Sequence, residues 1–195
     1  MTETFLSVVE AKRFLGREFL TWLICRLEEE GGRIEIEGDI LELALGDRIV
    51  LEAGGDPGAR LSLVDEGDIR SELGAGLRRG KLLDRARLSI TRGERRWELT
   101  LDGGLLTYDS LRCPPLGDRD PGLQEDRRAA FENDLFLRLA DVEDTVGVID
   151  WLFAAFCRTR STSTWTDDAL PTLRTWVAEL GRTRADAASA GGDVG

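Results

Sequence analysis

The spacing of apolar residues changes twice along this chain, and those two changes limit its fold more than any motif does. Between Ser7 and Glu30, residues Val8, Ala11, Leu15, Phe19, Trp22, Leu23 and Leu27 recur mostly at steps of three and four, the repeat of one helix face. From Arg33 the repeat becomes two. Ile34 and Ile36 alternate with Arg33, Glu35 and Glu37, and Leu41, Leu43 and Leu45 alternate with Glu42 and Ala44, as half-buried strands do. Beyond Pro114, Pro115 and Pro121 the helical repeat returns. Helix, then strands, then helices predicts an α+β domain: an antiparallel sheet of about six strands over residues 33 to 111, with an N-terminal helix and a C-terminal group of three helices packed on it.

Local signals punctuate this plan. Ser7 with Glu10 forms a capping box for the first helix, and Gly31-Gly32 stops it. Phe14, Leu20 and Ile24 widen its apolar stripe, so the helix is either covered on two sides or packs against another chain. Glu37-Gly38-Asp39 and Gly46-Asp47 read as turns, followed by strands over Arg48 to Glu52 and Ala59 to Val64. Asp65 to Gly80 reads as a helix interrupted by Gly74 and Gly76. Leu83 to Thr91, Arg96 to Leu101 and Leu105 to Leu111 then read as strands joined by tight turns. Ala129 to Ala140, with Phe131, Leu135 and Leu139 at four-residue spacing, predicts one helix. Asp141 caps a second, through Trp151 to Phe156, which Arg158 and Arg160 close. Asp167 to Gly181 is the last helix, with Leu170, Leu173, Val177, Leu180 and Trp176 for the core and Pro171 in its first turn. A single domain over residues 1–181 and a disordered polar tail over 182–195 follow.

Composition removes much chemistry. The chain contains no histidine, so Ser/His/Asp and Cys/His catalysis and imidazole-bound zinc are excluded. Cys25, Cys113 and Cys157 are scattered, odd in number and flanked by apolar residues, which predicts reduced, buried thiols and no tetrahedral zinc site. No apolar run is long enough to span a bilayer and no secretory leader opens the chain, so a cytoplasmic location is expected. No glycine-rich phosphate loop occurs. These readings predict a protein that is not an enzyme, with no catalytic residue, no metal, no cofactor and no small-molecule substrate. Glu28-Glu29-Glu30 reads as a solvated helix end, Asp65, Glu66 and Asp68 as first-turn acids, and Glu10-Ala11-Lys12 lies in a helical repeat where a nuclease acid-x-lysine step would need a strand.

Six stretches carry a family resemblance. Residues 77–88, LRRGKLLDRARL, lead into RWELTLDGGL at 96–105 and LRCP at 111–114. AFENDLFL at 130–137 and IDWL at 149–152 follow in the same order, and FLGREFLTWL at 14–23 precedes them. In order and spacing, residues 10 to 157 resemble the carboxy-terminal part of the recombination-associated RdgC family. The resemblance implies a DNA-associated protein of recombination or mobile-element biology, since members form ring-shaped dimers around duplex DNA and restrain recombinase filaments. The acidic balance of this chain departs from the family's pattern.

That balance is uneven. Arg78 to Arg96 holds eight basic residues against Asp84 and Glu94, which leaves +6 there and −17 over the remainder of a chain whose net charge is −11. Guanidinium groups grip phosphate at two points without reading sequence. Arg78, Arg79, Lys81, Arg85 and Arg87 are therefore the candidate contacts to double-stranded DNA, with Arg85 and Arg87 sharing one strand face. The opposing reading pairs these arginines with surplus carboxylates. It makes the protein an acidic interaction or scaffold protein that oligomerises through its N-terminal helix, as a homodimer or with another protein, and does not bind DNA. Of the five tryptophans, Trp97, next to Arg95 and Arg96, is the one placed to stack on a base; the others read as core.

Overall fold

The structure, a computed structural model, describes residues 13–36, 38–53, 56–64, 69–116 and 127–181. Helix α1, Arg13–Glu29, is followed by strands β1, Arg33–Ile36, β2, Asp39–Ala53, and β3, Asp56–Val64. Helix α2, Ile69–Arg78, leads into β4, Lys81–Arg92, β5, Arg95–Asp102, and β6, Thr107–Arg112. Helix α3, Arg127–Arg160, and a π turn, Trp165–Ala169, that runs directly into helix α4, Leu170–Glu179, complete the domain. The fold is α+β with an antiparallel sheet, as the change of period predicts. The capping box at Ser7 and Glu10, the acids Asp65, Glu66 and Asp68, the Glu10-Ala11-Lys12 step and the tail 182–195 lie outside the described residues.

All six strands pair antiparallel, but the sheet is only five positions wide. Glu42 pairs with Arg33 of β1 on one side and Thr91 of β4 on the other, while Leu51 pairs with Leu61 of β3 on one side and Leu83 of β4 on the other. β1 and β3 therefore share one edge of β2, and the order across the sheet is β1/β3, β2, β4, β5, β6. Where the sequence predicts separate strands on either side of a Gly46-Asp47 turn, β2 runs through as one 15-residue strand. Its pairing slips from Leu45 opposite Leu88 to Ile49 opposite Ala86, so Gly46, Asp47 and Arg48 form a bulge and not a turn.

α1 lies on one face of this sheet with Phe19, Leu20, Trp22, Leu23, Ile24, Cys25 and Leu27 buried. It is covered on two sides, by β2 and β4 and by α3 and α4, so these buried side chains pack within their own chain. Phe156 anchors the second layer, with ring centroids 5.6 Å from both Phe19 and Trp22 and 5.8 Å, edge-on, from Trp165. α2 sits close enough to need both of its glycines: a Cβ on Gly74 would lie 2.3 Å from the Leu180 carbonyl, and one on Gly76 2.3 Å from Leu51.

Two helices are predicted around Asp141, and one 34-residue helix is found. Asp141 caps nothing. It is buried in the helix's middle, where Arg95 from the β4–β5 hairpin and Arg138 pair with it and Thr145 donates to its carbonyl. A charge answered from the side does not end a helix. Cys25 alone of the three thiols is buried; Cys113 and Cys157 are half-exposed, and all three are free.

Candidate functional site

Strand parity sorts the basic run. Along β4, Leu83, Ala86, Leu88 and Ile90 are buried beneath the helices, and along β5 so are Trp97, Leu99 and Leu101. The alternate residues face away from α1, in direct register: Arg85 opposite Asp102, Arg87 opposite Thr100, Ser89 opposite Glu98. This second face therefore carries guanidinium and carboxylate groups side by side.

The five predicted DNA contacts do not form one surface. Arg85 and Arg87 share the outer sheet face, as predicted, but both are engaged: Arg85 with Asp102 at 2.7 Å and Asp109 at 3.6 Å, Arg87 with Glu98 at 2.6 Å and Asp47 at 3.3 Å. The hydrogen bond to Glu98, ahead of the nearby Asp47 charge, holds the Arg87 guanidinium above its ordinary range. Arg78 sits at the end of α2 and donates to the carbonyls of Val177 and Leu180, at 3.0 and 2.9 Å, closing the last turn of α4. Arg79 is exposed and Lys81 half-buried on either side of Gly80, whose φ of 77° ends α2. Neither has an ion pair among the described residues. Arg92 pairs with Asp39 and with Asp144, and Arg95 with Asp141. Trp97 is buried, with the Arg95 guanidinium 5.0 Å from its ring centroid, so it is a core residue and not a stacking platform.

Three features escape the one-dimensional reading. The first is a cavity of about 380 Å³ on the outer sheet face, lined by Asp47, Arg87, Ser89, Arg96, Glu98 and Arg112 among others. Arg96 at 3.0 Å and Arg112 at 3.9 Å join Arg87 around the Glu98 carboxylate. Arg112 lies beyond the basic run and comes in only through the pairing of β6 with β5, which sets it opposite Glu98. The second is a buried ion cluster, in which Arg17 of α1 reaches both Glu52 and Asp84. Gly16 makes this possible by lying against Gly103, where a Cβ would come within 2.2 Å of the Gly103 carbonyl.

The third is the N-terminal half of α3. Phe131 and Phe136 are 67% and 68% exposed, and Leu135, Leu139 and Val142 also face solvent. The spacing of Phe131, Leu135 and Leu139 predicts a core-facing helix; the helix is there, but this half overhangs the core. No group of acidic and cysteine side chains among the described residues is arranged to hold a metal ion, and no described helix is long and apolar enough to cross a membrane. No protein family matches this sequence, and neither a curated protein nor a solved structure matches it.

Proposed function

We propose that this protein works by association, without catalysis, and that the overhanging half of α3 pairs with the same helix of a second copy. The observation that carries this reading is the apolar surface formed by Phe131, Leu135, Phe136, Leu139 and Val142. At the α-helical repeat these five side chains fall within an arc of about 140°. Large apolar side chains grouped on an exposed helix face mark a contact surface, whereas single ones need no explanation.

Charge at the ends of the arc favours a like partner. Arg128 lies near its N-terminal end and Glu143 near its C-terminal end, both exposed. An antiparallel pairing with its two-fold axis between Leu135 and Phe136 sets each Arg128 against the other copy's Glu143 and brings Leu135 of each copy against Phe136 of the other. Such an interface is self-complementary, as a two-fold dimer requires. Arg128 also bonds Glu132 at 3.0 Å along its own helix, and a guanidinium with five donors can serve both carboxylates.

Sedimentation equilibrium of the wild type and of a Phe131→Ser/Phe136→Ser variant tests the proposal. A concentration-dependent dimer that becomes a monomer in the variant, with its far-UV circular dichroism unchanged, is the expected result. A wild type that stays monomeric at every concentration overturns it.

A second reading, contact with duplex DNA, rests on Arg79 and Lys81, which project from the α2–β4 turn without ion pairs among the described residues. It ranks lower because Arg78, Arg85 and Arg87 do not join this turn in one surface, and a chain of net charge −11 repels a long polyanion. Fluorescence anisotropy of a labelled duplex decides it. Binding that falls steeply with salt and disappears in Arg79→Gln/Lys81→Gln brings this reading forward, and no binding at low salt retires it.

A further inference from the structure

We infer that the cavity on the outer sheet face is a binding site for a phosphoryl dianion, either inorganic phosphate or the phosphate of a small phosphomonoester. Its floor is made by the β2 bulge. Between Leu45 and Ile49 this strand spends four steps where β4 spends two, and the bulge leaves about 380 Å³ of open space beside Arg87. Gly46 fits closely there, since a Cβ would press to 3.0–3.2 Å on the Arg87 side chain and carbonyl.

Three guanidinium groups from three strands converge on this space, Arg87 from β4, Arg96 from β5 and Arg112 from the bulged β6. They meet at a single oxyanion, the Glu98 carboxylate, at 2.6, 3.0 and 3.9 Å. Glu98 marks the point at which the site is built to hold negative charge, and it does not saturate the site. Arg112 meets it beyond hydrogen-bonding distance, and each guanidinium brings five donors. The side chains of Arg96 and Arg112 are 62% and 73% exposed, so their forks can close on a ligand entering from solvent.

The charge count sets the ligand class. Three guanidiniums against Glu98 and Asp47 leave one net positive charge, enough to draw in a single small phosphate and not a run of them; a chain with net charge −11 also repels a long polyanion. The volume falls in the range of small-molecule sites, enough for a phosphate with a modest organic group. Glu98 competes for the same donors, so it limits affinity.

Isothermal titration with sodium phosphate, with sodium chloride at equal ionic strength as the control, tests the assignment on the full chain. Phosphate binds and chloride does not. Arg96→Gln and Arg112→Gln each weaken phosphate by roughly tenfold, the value of one charge-assisted pair. Glu98→Gln tightens it by roughly tenfold, because removing a like charge at this separation outweighs the lost ion pairs once phosphate takes their donors. Adenosine monophosphate and a short duplex separate the sources. Phosphate and the mononucleotide both binding assigns a phosphomonoester site; phosphate binding with the mononucleotide excluded assigns the free anion. Heat equal to the chloride control, binding of the duplex alone, or affinity unchanged in all three variants overturns the proposal. The substituted side chains of Arg96 and Arg112 are exposed, and thermal melts of each variant verify folding independently.

Discussion

Over residues 149–160, helix α3 places Leu152 and Phe156 beneath the aromatic rings of α1, whereas over residues 128–142 the same helix holds Phe131 and Phe136 out in solvent. Both halves carry phenylalanine and leucine at helical spacing, and both belong to one uninterrupted element. The difference lies in what stands opposite. α1 and the π turn cover the second half. Beside the first half, the described residues make polar contacts: the Pro114 carbonyl bonded by Arg138, and Arg95 on Asp141. An apolar stripe thus reports that a helix face needs a cover, and not which chain supplies it.

Truncating one ring in each half should produce the largest difference. Phe156→Ala removes a fully buried ring from a cluster of four aromatic neighbours and is expected to cost about 3–5 kcal/mol in urea unfolding. Phe136→Ala, measured in a monomeric background, is expected to stay within about 0.5 kcal/mol. Equal costs at the two sites would show that the overhang is covered within its own chain.

The junction between the halves comes next. Asp141→Ala leaves Arg95 and Arg138 without their shared buried acceptor and is expected to cost about 1–3 kcal/mol by the same measurement, loosening the overhang from the hairpin. Hydrogen exchange then quickens over residues 128–142 more than over 149–160. An even change along the helix would argue that Asp141 divides nothing.

A smaller effect probes the buried half by pH. Burial, then the nearby Glu29 and Glu28, pushes the Cys25 thiol up from 9.0 to about 12. A folded-state value above the unfolded one means that this contribution is complete below pH 9 and is lost as pH rises toward 12. Unfolding free energy measured from pH 7 to 11 should decline above pH 9, and less steeply in Cys25→Ala. Native Cys25 should also resist thiol reagents at pH 8 while the half-exposed Cys113 reacts.

The finest test concerns the exposed half. Glu143→Arg is expected to weaken the dimer by about 0.5 kcal/mol per exposed pair, and Arg128→Glu added to it should restore the affinity. A double variant weaker than either single one would rule out the antiparallel register.

How far the fold can be read from sequence depends on the range of the interactions that decide it. The β4–β5 hairpin with its Arg92-Gly93-Glu94 turn, the glycine stop of α1 and the Gly80 stop of α2 are all legible, because each rests on residues within a few positions. The continuity of α3 is not, since Arg95 answers Asp141 from 46 residues away. Gly46-Asp47 looks like a turn until β4 is known to pair on both sides of it. The basic run shows the same limit. Its charge is plain in one dimension, but the carboxylates that engage it, Asp102, Glu98, Asp39 and Asp141, come from other strands and another helix. Arg112 joins Arg87 and Arg96 only through the sheet.

The bulge in β6 has a consequence for aggregation. Ser110 takes a left-handed φ of 55°, and the pairing of β6 with β5 slips from Asp109 opposite Thr100 to Arg112 opposite Glu98. A kinked, charged edge strand is a poor template for another chain's backbone. At the opposite margin β1 and β3 divide one edge of β2 between them, so neither offers a continuous ladder along its full length. Extension of the sheet into fibrils is thus discouraged at both margins.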